Sequence, residues 1–181
     1  MLLPFFYTGL VSRKIPIYLV GMMGVGKTTI GLLLAARLGR AFLDTDQEVE
    51  RVAGRTIAEI FETGGEASFR ALEADVVRIA AKDGAVVALG GGAVVTPGAM
   101  QRLLESGKVV FLMADPEELI ERIGDPASRP LLVGLDRGAQ IDKLRTLLAE
   151  RNHFYQQAGI RIDAHGTADE VVDRIVTELT D

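Results

Sequence analysis

Residues 21–29 read GMMGVGKTT, and they fit the spacing G-x-x-x-x-G-K-[ST] at Gly21, Gly26, Lys27 and Thr28. Glycines let the backbone curl so that successive amides converge on phosphate oxygens, and the helix that follows points its positive end at the same place. An apolar run, IPIYLV, precedes the pattern, and a helical run, TTIGLLLAARL, follows it. This is the strand-loop-helix context that a nucleotide phosphate-binding loop requires.

The same loop carries the residues predicted to hold a nucleotide and a magnesium ion. Lys27 is expected to neutralise the β- and γ-phosphates, and the Thr28 hydroxyl is expected to ligate Mg²⁺. The alternative is a glycine-rich turn without a ligand, which the flanking strand and helix argue against. The residues predicted to contact the nucleotide here are Gly21, Gly24, Val25, Gly26, Lys27, Thr28 and Thr29.

Elsewhere, short aliphatic runs alternate with longer amphipathic ones, a pattern typical of a parallel sheet covered by helices on both faces. The 181 residues have the size of one such α/β domain. The predicted strands are 15–20, 41–43, 85–89, 109–113 and 160–162. The predicted helices are 27–38, 66–83, 97–105, 116–123, 141–158 and 168–179.

The amino-acid composition excludes some classes of binding partner and of metal site. The net charge of -5 argues against a general nucleic-acid binder, which needs a basic surface. Cysteine is absent, so disulfides and thiolate metal sites are excluded. Residues 1–14 are mostly apolar but lack the charged start and cleavage pattern of a signal peptide, so we interpret them as a terminal tail or a segment packed on the domain surface. We expect a cytoplasmic monomer that binds neither nucleic acid nor membrane.

The run FLDTD, residues 42–46, stops at two aspartates one residue apart. If the strand continued through Asp46, both carboxylates would project to one side, about 6 to 7 Å apart, at the sheet edge where ligands bind. One could then reach Mg²⁺ through water, and the other could orient an acceptor hydroxyl and take its proton. The alternatives are an N-cap role for Asp46 and a plain strand-end role for Asp44.

The segment GDPASRPLLVGLDRG, residues 124–138, fits neither a helix nor a strand. It is dense in glycine, proline and charge. A loop of this length in a compact domain is usually functional or disordered.

Together these stretches resemble the shikimate kinases. GMMGVGKTTIG, FLDTD, GRTIAEIF, FRALE, ALGGGAV and RPLL occur in that family's order and spacing, from about residue 15 to the C-terminus. The resemblance implies transfer of the γ-phosphoryl group of ATP to the 3-hydroxyl of shikimate, a step of aromatic amino-acid biosynthesis. It also implies a P-loop kinase fold with a five-stranded parallel sheet of order 2-3-1-4-5 and a mobile lid at residues 124–138.

The resemblance assigns roles to individual residues. Asp46 resembles the residue that binds the shikimate hydroxyls and acts as base, and Asp44 the one that reaches magnesium through water. Arg70 and Arg151 resemble the pair that grips the shikimate carboxylate, for which a planar guanidinium is well matched. The run after Arg151, NHFYQQAG, departs from the family pattern of a proline before the tyrosine.

Some of these residues also have structural explanations. Arg70 could be a surface arginine paired with Glu66 or Glu73. The turn Gly90, Gly91 and Gly92 resembles the stretch whose bare backbone approaches the substrate, and a plain tight turn is its alternative.

Two further arginines are assigned by the resemblance. Arg129 resembles the lid arginine that reaches the transferring phosphoryl group, and its alternative is a solvated loop residue. Arg122 resembles the residue that stacks on adenine, although a cation at a helix C-terminus is also favoured by the helix dipole.

Two other functions compete with this reading. Another kinase of the same fold, for gluconate or a nucleoside monophosphate, would have a phosphate loop and a lid but no special use for Gly90–Gly92 with Arg70. A shikimate-kinase-like binding module without turnover would be indicated by loss of Lys27, Asp46 or Arg129, and all three are present.

Overall fold

The structure is a computed structural model that describes residues 15–81, 84–124, 129 and 131–180. Its centre is a five-stranded parallel sheet in the order β2-β3-β1-β4-β5, which confirms the predicted topology. The strands are β1 (Ile17–Val20), β2 (Phe42–Asp44), β3 (Val86–Ala88), β4 (Lys108–Met113) and β5 (Ile160–Asp163).

Helices cover the sheet and connect its strands. They are α1 (Lys27–Leu38), α2 (Thr45–Ala53), α3 (Ile57–Ala80), α4 (Ala99–Ser106), α5 (Pro116–Ile123), α6 (Arg137–Tyr155) and α7 (Ala168–Thr180), and a short 3-10 turn spans Ala93–Val95. The sequence patterns predict all of these helices except α2 and the first part of α3.

The hydrophobic core lies against the middle of the sheet. Every residue of β1 and β3 is at most 2% exposed. Strands buried on both faces are apolar along their whole length, which is why these two were recognisable in the sequence. The phosphate loop leaves the carboxyl end of β1, at the sheet edge where open α/β folds bind ligands.

Helix α3 consists of two segments joined at Gly65. The φ of Gly65 is 68°, in the left-handed region that favours glycine, so the second segment begins at Glu66, as predicted. The first segment starts with a capping box in which the Thr56 hydroxyl accepts from the Glu59 amide and the Glu59 carboxylate accepts from the Thr56 amide.

A second, smaller hydrophobic cluster joins α2 to both segments of α3, and its buried members are Val49, Ile60, Phe69 and Val76. Since α2 carries Asp46 and α3 carries Arg70, this cluster fixes two predicted substrate-binding side chains relative to each other.

Three predicted segments lie wholly or partly outside the described residues: the tail at 1–14, positions 82–83 of the helix predicted at 66–83, and positions 125–128 and 130 of the predicted lid. The segment predicted as a lid extends too far at its C-terminal end, because α6 already begins at Arg137 with Asp136 as its N-cap. Among the helices that the structure describes, none has the length and apolar character needed to cross a membrane.

Candidate active site

The phosphate loop has the backbone that its glycines predict. The φ angles of Gly24 and Gly26 are 80° and 94°, in the left-handed region. A Cβ on Gly24 would lie 2.7 Å from the Leu119 carbonyl oxygen, so this position also lacks room for a side chain. The Lys27 ammonium donates to the carbonyl oxygens of Gly21 (2.8 Å) and Met22 (3.0 Å), which holds it over the loop.

Lys27 is half-buried among charged groups. Burial lowers the pKa of Lys27 to about 8, while the nearby carboxylates of Asp46 and Asp44 act in the opposite direction. An anion placed in the loop would favour the protonated form further. The loop is therefore suited to a polyanion.

Asp44 links the phosphate loop to the start of α2. The Thr28 hydroxyl donates a 2.8 Å hydrogen bond to Asp44 Oδ2. Asp44 Oδ1 accepts from the amides of Asp46 (3.1 Å) and Gln47 (3.4 Å), so Asp44 is the N-cap of the helix.

This arrangement corrects the expectation that strand geometry continues through Asp46. The strand ends at Asp44, and Asp46 lies in the first turn of α2. The proposed cap role for Asp46 is also wrong, because Asp44 is the cap.

Asp46 faces the turn after β3. A Cβ built on Gly90 would lie 2.5 Å from Asp46 Oδ1, so only glycine allows this approach. Burial raises the pKa of Asp46, and Asp44 adds to the increase, while Lys27, Arg70 and Arg129 oppose it. The carboxylate is therefore more basic than an exposed aspartate would be.

The three glycines of the turn each face a different predicted substrate-binding side chain. Gly90 faces Asp46. The Gly91 carbonyl oxygen accepts a 2.9 Å hydrogen bond from Arg151 Nη1, and a Cβ on Gly92 would overlap the Arg70 guanidinium. The structure thus brings one carboxylate and two arginines from α2, α3 and α6 to a single turn.

Arg70 forms the ion pairs of its structural explanation and also lies beside the glycine turn. It forms ion pairs with Glu66 (3.1 Å) and Glu73 (2.8 Å), as its structural explanation predicts. Its side chain is nevertheless only 19% exposed and lies against Gly92. The ion pairs therefore orient the guanidinium beside the turn.

Glu73 is a buried acid that the sequence suggested only as a partner for Arg70. It is 4% exposed, and its Oε1 has no hydrogen-bond partner within the described part of the chain. Burial raises the pKa of Glu73, while Arg70 opposes the increase. Such an orphaned oxygen is costly unless it is protonated or meets a ligand.

A polar groove of about 450 Å³ runs along this edge of the sheet. Its walls include the phosphate loop, both aspartates, Gly90, Gly91 and Arg129. Arg122 also lines it, donating to the carbonyl oxygens of Val25 (3.4 Å) and Ala164 (2.7 Å) and pairing with Glu118. Within the described residues no group of three or more His, Asp or Glu side chains could hold a metal.

Two buried hydroxyls at the site were missed in the sequence. Thr45 Oγ1 accepts a hydrogen bond from the Gly90 amide, and the Tyr155 hydroxyl donates to the Gly91 carbonyl. The spacing D-x-x-Q at residues 44–47 is a helix-start signal that would have placed Thr45 in the first turn. No comparable signal marks Tyr155.

The strand order and the phosphate loop at the carboxyl end of β1 define a P-loop kinase, a class that transfers the γ-phosphoryl group of ATP. A family model described as "Shikimate kinase" matches residues 23–180. This chain belongs to the shikimate kinase family.

Individual relatives support this assignment along most of the chain. The shikimate kinase of Pelotomaculum thermopropionicum is 41% identical over 162 residues, which are 88% of this chain and 92% of that protein. The solved shikimate kinase of Bacteroides thetaiotaomicron superposes with a TM-score of 0.85 at 32% identity, covering 92% of this chain and 99% of that one. The shikimate kinase of Acinetobacter baumannii, solved in complex with shikimate, gives 0.83 at 38% identity and covers 92% and 93%.

Proposed function

We propose that this chain transfers the γ-phosphoryl group of ATP to the 3-hydroxyl of shikimate, giving shikimate 3-phosphate for aromatic amino-acid biosynthesis. The observation that carries the proposal is the glycine turn, where Asp46, Arg151 and Arg70 face Gly90, Gly91 and Gly92 in that order. The family assignment and the solved relative with bound shikimate support the same substrate.

The turn offers different chemistry at its two ends. Arg70 and Arg151 present two guanidinium groups, which suit a carboxylate. Asp46 presents a half-buried carboxylate, which suits hydroxyl groups. A small cyclic acid with its carboxylate and its hydroxyls on opposite sides of the ring matches this arrangement.

Asp46 is the proposed general base. Its raised pKa makes it a better proton acceptor than an exposed aspartate, and Lys27, Arg70 and Arg129 favour its ionised form. It would accept the proton of the attacking hydroxyl while the oxygen forms its bond to phosphorus and ADP leaves.

The nucleotide side is assigned to the phosphate loop, with contacts from Gly21, Gly24, Val25, Gly26, Lys27, Thr28 and Thr29. Arg122, beside Val25 and Ala164, is the proposed contact for the adenine. Arg129 lines the same groove, and an arginine that reaches the transferring group contributes about 10³ to 10⁵ in rate.

Thr28 and Asp44 fit a magnesium ion. Both offer the hard oxygen donors that Mg²⁺ prefers, and few protein ligands are needed because phosphates and waters complete its shell. Thr28 would be a direct ligand, and Asp44 would act through water. When bound, Mg²⁺ offsets the charge of the β- and γ-phosphates.

We further propose that residues 1–181 form one domain, with a lid between residue 124 and the N-cap of α6, and that the enzyme is a cytoplasmic monomer without nucleic-acid or membrane partners. All the proposed site residues come from one chain, so catalysis would not need a second copy.

A coupled ADP-release assay with ATP and Mg²⁺ tests the function. We expect ADP formation that depends on shikimate, with gluconate and AMP as controls that give only background. ADP release with either control, or none with shikimate, would contradict the proposal.

A further inference from the structure

Two buried side chains without a role in the mechanism above hold the Gly90–Gly92 turn. Thr45 is fully buried, and its Oγ1 accepts a 2.9 Å hydrogen bond from the Gly90 amide. Tyr155 is 1% exposed, and its hydroxyl donates a 3.2 Å hydrogen bond to the Gly91 carbonyl oxygen. The amide of one glycine and the carbonyl of the next are thus held from α2 and from α6.

These hydrogen bonds matter because glycine has little conformational preference of its own. Three consecutive glycines can adopt many backbone conformations, so their position depends on external contacts. A threonine or tyrosine side chain that is hydrogen-bonded to a glycine amide or carbonyl therefore fixes the position of the turn.

Thr45 lies at the hydroxyl-binding end of the site. It stands in the sequence between Asp44 and Asp46, in the first turn of α2. Because Asp46 Oδ1 approaches the Gly90 α-carbon closely, a shift of Gly90 would change the direction of the proposed base.

Tyr155 lies at the carboxylate-binding end. It follows Arg151 by one helical turn in α6, and both side chains donate to the Gly91 carbonyl oxygen. Its ring stacks on Phe111 of β4 with centroids 4.6 Å apart, which fixes the hydroxyl. Burial raises the pKa of Tyr155, so the hydroxyl keeps its proton and remains a donor at neutral pH.

We propose that Thr45 and Tyr155 are positioning residues that hold the Gly90–Gly92 turn at a fixed position relative to Asp46 and Arg151. Neither side chain touches the substrate. Thr45 sets the alignment of the reacting hydroxyl, and Tyr155 sets the alignment of the carboxylate contact. This inference rests on the proposed function.

The roles predict different kinetic effects. Thr45→Val removes the hydroxyl at nearly constant shape, and we expect kcat to fall at least about 10-fold, because small misplacements near the reacting atoms are costly. We expect Thr45→Ser, which keeps the hydroxyl, to stay within about threefold of the wild type. Tyr155→Phe should raise the shikimate KM at least about fivefold, because Tyr155 holds the backbone beside the proposed carboxylate contact and not beside the reacting hydroxyl.

The experiment measures kcat and both KM values for wild type, Thr45→Val, Thr45→Ser, Tyr155→Phe and the double variant Thr45→Val with Tyr155→Phe. Rates are normalised to the concentration of sites that bind ATP, so unfolded protein does not affect the comparison. The ATP KM should change less than twofold in every variant. Because the two residues hold one turn, the double variant should show a non-additive effect on kcat/KM.

The controls separate two kinds of failure. A wild type without shikimate-dependent ADP release would overturn the proposed function. With an active wild type, Thr45→Val and Tyr155→Phe near wild-type values would overturn the positioning roles. Equal losses in Thr45→Val and Thr45→Ser, or equal changes in the KM values for shikimate and ATP, would also overturn them. If Thr45→Val binds no ATP, Thr45→Ala takes its place under the same criteria.

Discussion

The Thr28 hydroxyl donates a 2.8 Å hydrogen bond to Asp44, and the other oxygen of this carboxylate caps α2. One side chain therefore joins the proposed magnesium site to the helix that carries Asp46. The nucleotide side and the acceptor side of the groove are fixed relative to each other through a single residue.

Asp44→Asn should weaken magnesium binding without unfolding α2. Asparagine is as good an N-cap as aspartate, so we expect the free energy of unfolding to change by less than about 1 kcal/mol. Loss of the negative charge should raise the Mg²⁺ concentration for half-maximal activity about 10-fold or more, as for other outer-sphere partners of metals. A magnesium titration of ADP release measures this, and an unchanged midpoint would remove Asp44 from the metal site.

Gly92→Ala should weaken shikimate binding. The φ of Gly92 is -102°, which alanine adopts readily, but its Cβ would overlap the Arg70 guanidinium. We expect a shikimate KM about 10-fold higher, or about 1.4 kcal/mol, with an unchanged ATP KM.

A matched control is Gly159→Ala, where a Cβ would meet nothing within 4 Å. Comparable KM values for Gly92→Ala and Gly159→Ala would show that the approach of Arg70 to the turn does not serve binding.

Glu73→Gln should change how stability depends on pH. Burial raises the folded-state pKa of Glu73 above its ordinary value of 4.5, so the folded state holds this proton to a higher pH than the unfolded state does. The proton on Glu73 therefore contributes to the free energy of unfolding below pH 4.5, and this contribution is lost as the pH rises from 4.5 through the folded-state pKa. The free energy of unfolding of Glu73→Gln should increase relative to wild type as pH rises from 4.5 toward neutrality.

Urea denaturation at several pH values gives this difference. Glu66→Gln is the control, because it removes the other partner of Arg70 from an exposed position where the side chain is 64% accessible. A difference between Glu73→Gln and wild type that is independent of pH would mean that Glu73 is ionised in the folded protein as easily as in the unfolded one.

Arg129→Ala should lower kcat about 10³-fold or more while leaving the KM values for ATP and shikimate within a few-fold, because its proposed contact is with the transferring group. Steady-state kinetics measure both. Arg137→Ala is the control, since that arginine is 61% exposed and pairs with Glu121 away from the groove lining. If both variants kept the wild-type kcat, Arg129 would be a solvated loop residue.

The centre of the sheet was predictable because β1, β3 and most of β4 are buried on both faces. Aliphatic runs such as 85–89 have no competing pattern, and the glycine spacing at 21–28 fixes which strand precedes the phosphate loop. The helix start at Glu66 was also predictable, since Gly64 and Gly65 interrupt the pattern before it.

Other features depend on contacts that no local pattern contains. The expectation that strand geometry continues through Asp46 extends the strand past its apolar residues, whereas the D-x-x-Q cap starts a helix at Thr45. Arg70 of α3 and Arg151 of α6 meet at neighbouring glycines. The sequence pattern of each helix gives no sign of this contact, because it joins two separate elements. The burial of Glu73 likewise follows from tertiary packing alone.

Asp46 is proposed to take the proton of the substrate hydroxyl. Single-turnover phosphoryl transfer at saturating ATP, Mg²⁺ and shikimate tests it most directly, comparing wild type with Asp46→Asn and with Asp136→Asn, which alters the N-cap aspartate of α6. We predict that Asp46→Asn is at least about 10²-fold slower while Asp136→Asn transfers at the wild-type rate. An Asp46→Asn rate within about threefold of the wild type would contradict the account.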